Sequence, residues 1–215
     1  MTVLSEMGNR ICGYHFFRRM LKKHLSMKKT IITMMSAAFI TVFAACGNSD
    51  HPEDSKEAAK EQNDTKFDDT KIEDDTKFAV AAADGGMLEV ELGKLAQTNG
   101  ASPQVKDLGK MMVDDHSKSN EELKALAQQK NISLPAVMSD DMRKKYDDLA
   151  AKKGADFDKA YTDFMVGDHK DDIDDFQHEA EKGADADIKA WAAGKVPVLQ
   201  HHLEMSQAAK DAVNK

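Results

Sequence analysis

Cysteine is almost missing: the 215 residues contain two, Cys12 and Cys46. Neither lies in the stretch that reads as folded, so that stretch has no disulfide and no thiolate site. Zinc-finger, iron–sulfur and cysteine-nucleophile chemistry are thereby excluded. Period-two alternation is also lacking over any useful length, and there are no hairpin signals, which removes a β architecture. There is no Gly-rich phosphate loop, no Gly-x-Ser-x-Gly elbow and no His-Glu-x-x-His motif, so nothing supports a hydrolase. Basic residues are outnumbered, 30 against 38 acidic, for a net charge of −8. Seven of the basic residues and one of the acidic lie before Cys46, which leaves 23 against 37, a net of −14, for residues 46–215. A surface of that sign repels phosphate backbones and argues against nucleic-acid binding.

The N-terminal segment has the layout of an export signal. Met27-Lys28-Lys29 is basic, residues 31–45 are an apolar run ending in small residues, and Cys46 follows. That run is shorter than a comfortable membrane span. Phe43-Ala44-Ala45-Cys46 is similar to a bacterial lipobox, with Phe where Leu is usual. The expectation is a leader over 1–46 in which 27–46 is a lipoprotein signal, Cys46 is the lipidation site, and 1–26 is an over-called start. Met27 is then the alternative start to Met1. The membrane is the expected partner through this anchor, at the outer-membrane or periplasmic face of a bacterial envelope.

Residues 47–76 are almost wholly polar and carry Asp-Thr-Lys three times, at 64–66, 69–71 and 75–77. Such a stretch cannot bury much apolar area, and it reads as a disordered acidic linker containing a solvated His51. From 77 the pattern is helical. A first long helix spans about 77–98, with small residues Gly85, Gly86, Gly93 and Ala96 that allow a neighbour to approach closely. Ser102 and Pro103 read as the N-cap and first turn of a second helix, about 103–130. A short helix capped by Ser139 and ended by Gly154 follows, then a third long helix over about 156–182 and a fourth from near Asp185, kinked at Pro197. The folded domain, 77–215, is therefore an all-α bundle of four long helices, with a short extra helix between the second and third.

One pentad recurs. Met112-Val113-Asp114-Asp115-His116 returns 53 residues later as Met165-Val166-Gly167-Asp168-His169. Both histidines fall on apolar stripes, one turn after a Met. In the fourth helix His201 and His202 are about 100° apart, so only one can face the centre, and Leu199 favours His202. In the first helix Glu89 shares a face with Gly85, Leu92, Gly93 and Ala96. Each long helix thus offers one candidate metal ligand: Glu89, His116, His169 and His202. Imidazole and carboxylate suit Zn, Cu or Fe, and Met112 and Met165 would add thioethers suited to Cu(I). Asp115 and Asp168 point away from their own histidines and could serve only as partners to a neighbouring helix's His. The competing reading is that the histidines are structural and the methionines are core filler. Glu-x-x-His pairs are absent, since Val113 and Val166 stand three residues before His116 and His169, which argues against an oxygen-activating di-iron enzyme. His178 and the acidic runs Asp171-Asp172 and Asp174-Asp175 are read as a solvated face.

Several of these motifs occur together and in order: residues 89–96 (EVELGKLA), the Met-Val-x-Asp-His-Ser of 112–117, Phe157 to Tyr161, Met165 to His169, and residues 197–203 (PVLQHHL). On them the chain resembles domain of unknown function 4142 over about residues 77–212. The resemblance implies a ferritin-like bundle in the bacterial envelope, without an established activity. It marks Glu89, His116, His169 and His202 as the positions to test.

Two functions follow as expectations. One is a lipid-anchored metal-binding bundle that buffers or senses a transition metal. The alternative is a non-enzymatic envelope protein for stress tolerance or interaction, with structural histidines. No catalytic residue is identified.

Overall fold

A computed structural model describes residues 54–215. Cys46, His51 and the leader lie outside them, so the lipidation expectation is not addressed there. Among the described residues there are six helices and no strand: α1 (Ser55–Phe67), α2 (Glu73–Asn99), α3 (Pro103–Lys130), α4 (Asp140–Ala150), α5 (Gly154–Lys182) and α6 (Ala186–Val213). The all-α expectation holds, with four long helices and a short one between the second and third of them. None of the described helices is long and apolar enough to cross a membrane.

The expected disordered linker is overturned from Asp54 onward. Residues 55–67 form α1, and α2 begins at Glu73, ahead of the expected 77. The polarity that suggested disorder serves here to satisfy the backbone of another loop. Asn63 donates to Ser133 O at 2.8 Å and accepts from Ser133 N at 2.7 Å. Ser55 Oγ accepts from Ala136 N at 2.9 Å, and Asp54 accepts from Asp140 N at 2.6 Å. Asp54 also caps α1 through Lys56 N and Glu57 N. The segment is held by polar pairing centred on buried Asn63, and such pairing leaves no hydrophobic signature in the sequence.

The long helices are positioned by borrowed caps. Buried Asp158 of α5 accepts from Ala101 N at 3.0 Å and Ser102 N at 2.8 Å, ahead of α3. Ser102 is the N-cap residue, but its side chain makes no capping bond, contrary to expectation. Asp75 of α2 likewise accepts from Ala184 N and Asp185 N before α6. Ser139 caps α4 as expected through Met142 N, and is itself held by buried Asp84. Gly154 does not end α4, whose C-cap is Ala151. It is the first residue of α5, where its φ of +60° turns the chain at no steric cost. α6 runs through Pro197 as one helix.

The most extensive helix pairings are α2 with α3 and α5 with α6. Gly93 and Gly109 set the crossing of the first pair. A methyl group on Gly93 would stand 2.6 Å from Gly109 O, and one on Gly109 would meet the Ala96 side chain at 2.6 Å. Apolar residues gather at two ends of the molecule. One cluster contains Leu88, Leu92, Val105, Leu108, Met112, Phe157, Tyr161 and Met165. The others contain Ala79, Ala83, Leu123 and Ile188, and Phe176, Ala192 and Leu199. Each fully buried large side chain contributes roughly 1.5–3 kcal/mol. Along every long helix the position between these ends is polar: Glu89, His116, His169 and His202.

Candidate metal centre

The repeated pentad determines what α3 and α5 present to the interior. Met112 and Met165 fall in the apolar cluster, and one helical turn later His116 and His169 enter the layer beyond it. His202 of α6 and Glu89 of α2 reach the same layer, and all four side chains are buried. His201, the neighbour, is exposed.

The three imidazoles close on one another. Their ring centroids lie 5.0 Å (His116–His202), 5.3 Å (His169–His202) and 5.6 Å (His116–His169) apart. His202 Nδ1 stands 3.2 Å from His116 Nε2 and 3.3 Å from His169 Nε2. Each ring's second nitrogen points outward at a partner. His169 Nδ1 donates to Met165 O at 3.1 Å, and His202 Nε2 donates to Asp115 Oδ2 at 2.9 Å. His116 Nδ1 meets Glu89 Oε2 at 2.8 Å. The outward bonds fix the tautomers of His169 and His202. Their inner nitrogens are therefore lone pairs facing each other, an arrangement that a cation relieves.

Electrostatics keep this layer neutral when no cation is present. Burial pushes His116 down to about 4, and it pushes His202 down to about 4 against the opposing effect of the hydrogen bond His202 donates to Asp115. Burial, with the neighbouring His116 and His202, holds His169 well below the usual histidine range. Burial also raises Glu89 well above the carboxylate range, with Asp168 adding to the effect. Both shifts oppose separated charges on His116 and Glu89, so their 2.8 Å contact is a hydrogen bond whose proton can rest on either partner. While Glu89 keeps its proton it donates to His116 Nδ1. Once it ionises the direction reverses and His116 Nε2 is free to ligate.

A second set of groups lies on the other side of Glu89. Asp168 and Asp172, both half-buried, each offer an oxygen within 4.8 Å of ligating atoms of Glu89 and His169. Burial raises both carboxyls, and Glu89 adds to the shift at Asp172. A cavity of about 290 Å³ reaches this region, with Glu89, Asp115, His116, Asp168, Asp172 and His202 in its walls.

The structure brings together all four candidates read from the sequence, but with different roles. His116, His169 and His202 form one mutual group, whereas Glu89 belongs with the carboxylates and orients His116 from outside. Met112 and Met165 pack in the apolar cluster one turn before their histidines, and the Met165 backbone carbonyl accepts from His169 Nδ1. Asp115 does partner a neighbouring helix's histidine, as its direction on α3 suggested. Asp172 is a correction, because it faces Glu89 and not only solvent. Its signal was present: it lies four residues after Asp168 and three after His169, on one helical face.

A family model described as Domain of unknown function (DUF4142) matches residues 56–209 of the chain. No curated protein and no solved structure matches it.

Proposed function

Since the chain belongs to the DUF4142 family, whose description assigns no activity, function must come from the site, and we propose that the protein binds a transition-metal ion between His116, His169 and His202. The observation that carries the reading is the 3.3 Å contact between two lone-pair nitrogens, His169 Nε2 and His202 Nδ1. Metal–imidazole bonds of about 2.0–2.1 Å at a tetrahedral angle place ligand nitrogens about 3.3 Å apart. The 3.2 and 3.3 Å separations match that spacing. Three imidazoles suit Zn, Cu, Fe or Ni. Asp115, Glu89 and the Met165 carbonyl orient the rings as outer partners of metal-bound histidines do.

The four long helices, each giving one polar residue to a central layer, support reading the fold as a ferritin-like four-helix bundle. The Phe43-to-Cys46 motif supports a lipid anchor in the bacterial envelope. On this reading the protein buffers or senses a transition metal at the membrane surface.

Equilibrium dialysis of the purified protein against Zn²⁺, followed by elemental analysis, tests the metal claim. Wild type retains the ion, and the His169→Ala/His202→Ala variant loses the tightly held one. A wild type that retains no metal overturns the reading. A purely structural role for the histidines predicts that outcome together with a lowered melting temperature in the variant.

A further inference from the structure

Glu89 Oε1 is buried and, among the described residues, no N–H or O–H donor reaches it; its polar neighbour is the Asp172 carboxyl, with which a hydrogen bond requires a proton on one of the two. Its companion oxygen is engaged by His116, so one half of a carboxylate is left facing the interior. Stranding a buried carboxylate oxygen is unfavourable by about 1–3 kcal/mol or more, so such an atom calls for an explanation. Oε1 lies 3.5 Å from His169 Nε2, and Asp168 and Asp172 bring their own oxygens into the same small volume. Three carboxyl groups thus converge where, among the described residues, no Lys or Arg side chain makes an ion pair with any of them; Lys145, the basic side chain nearest Asp168 in effect, acts on it only through space. The cavity beside them opens a route from solvent.

We propose that Glu89, Asp168 and Asp172 form a second cation subsite beside the three-histidine centre, selective for a hard divalent ion such as Mn²⁺. The assignment rests on the proposed three-histidine site, because His169 Nε2 stands between the two groups and is claimed by the imidazole site. What remains for the second ion is an all-oxygen set, which suits Mn²⁺ or Mg²⁺ better than the imidazole-preferring metals. Glu89 then links the two: Oε2 orients His116 at the first ion and Oε1 ligates the second. The rival way of relieving the cluster is a proton shared by Glu89 and Asp172, which leaves no capacity for a second ion.

The test uses the full chain loaded with Zn²⁺ and then titrated with Mn²⁺ alone, with bound Mn²⁺ read from loss of its free-ion paramagnetic resonance signal. The expected result is one Mn²⁺ per Zn²⁺-loaded chain, weakened at least tenfold in Asp168→Asn/Asp172→Asn while the Zn²⁺ content is unchanged. Asp172→Asn alone, the milder change, weakens Mn²⁺ in the same direction should the double variant not fold. A chain that retains Zn²⁺ but takes up no Mn²⁺ overturns the subsite and leaves the three-histidine site standing, as the shared proton predicts. Mn²⁺ uptake indifferent to both variants also overturns it. A chain that takes up no Zn²⁺ overturns the three-histidine site itself, and the subsite with it.

Discussion

His169 Nε2 and His202 Nδ1 face each other at 3.3 Å, and neither can give the other a proton, because each ring has spent its N–H on an outward acceptor. With Glu89 protonated, His116 Nε2–H donates to His202 Nδ1 at 3.2 Å, and His169 Nε2 is the lone pair that packing alone leaves without a donor from the other two rings. The pair is the strongest reason to regard the polar layer as a binding site, and the consequences can be measured.

Zn²⁺ stabilises the fold in proportion to its binding. At an ion concentration about a hundred times Kd the gain is roughly 2.7 kcal/mol, which raises Tm by roughly 5–10 °C in a chain of this size. In His202→Ala that rise disappears. Thermal unfolding with and without the ion reads both.

Asp115 acts through His202, whose Nε2 it holds at 2.9 Å. Asp115→Asn weakens metal binding by about 10–100-fold while leaving the stoichiometry at the histidine site unchanged. Because its side chain is 45% exposed, the metal-free stability changes little. Competition against a chelator of known affinity separates affinity from capacity.

Gly93→Ala and Gly109→Ala each lower stability by about 1–3 kcal/mol, because the added methyl meets atoms of the opposite helix at 2.6 Å. The loss comes in spite of the gain of roughly 1 kcal/mol that Ala has over Gly in a helix. Gly167→Ala, with nothing within 4 Å of the new methyl, shows that gain and raises the urea midpoint.

Away from the centre, burial raises Glu179 to about 7, with Asp75 adding to the shift. A carboxyl with a raised folded pKa binds its proton more tightly in the native state, so stability is full below about 4.5 and is lost as pH rises through about 7. Glu179→Gln is expected to flatten that fall and to raise Tm at pH 8 relative to wild type. Melting curves between pH 4.5 and 8 check it.

The sequence made the long helices legible because each carries a continuous apolar stripe, and Asn131, Ser139 and Gly183 mark ends or caps. His116, His169 and His202 were visible for the same reason: a polar residue stands out on an apolar stripe. α1 was hidden because its fixed points are Asn63, Ser55 and Asp54, whose partners lie 70 or more residues away in the chain. Asp172 was hidden inside a run of acids. Glu89 was found, but its role was not, since residue spacing tells which helix face a carboxylate occupies and nothing about which of its oxygens is engaged. Helical phase places Met112 and Met165 a full turn from their histidines, inside the apolar cluster.

Anomalous diffraction from crystals grown with Zn²⁺ addresses the central claim most directly. The account predicts a peak about 2.0–2.1 Å from each of His116 Nε2, His169 Nε2 and His202 Nδ1. A centre without a peak, with Zn²⁺ found only at exposed groups such as His201 or the surface carboxylates, would contradict it.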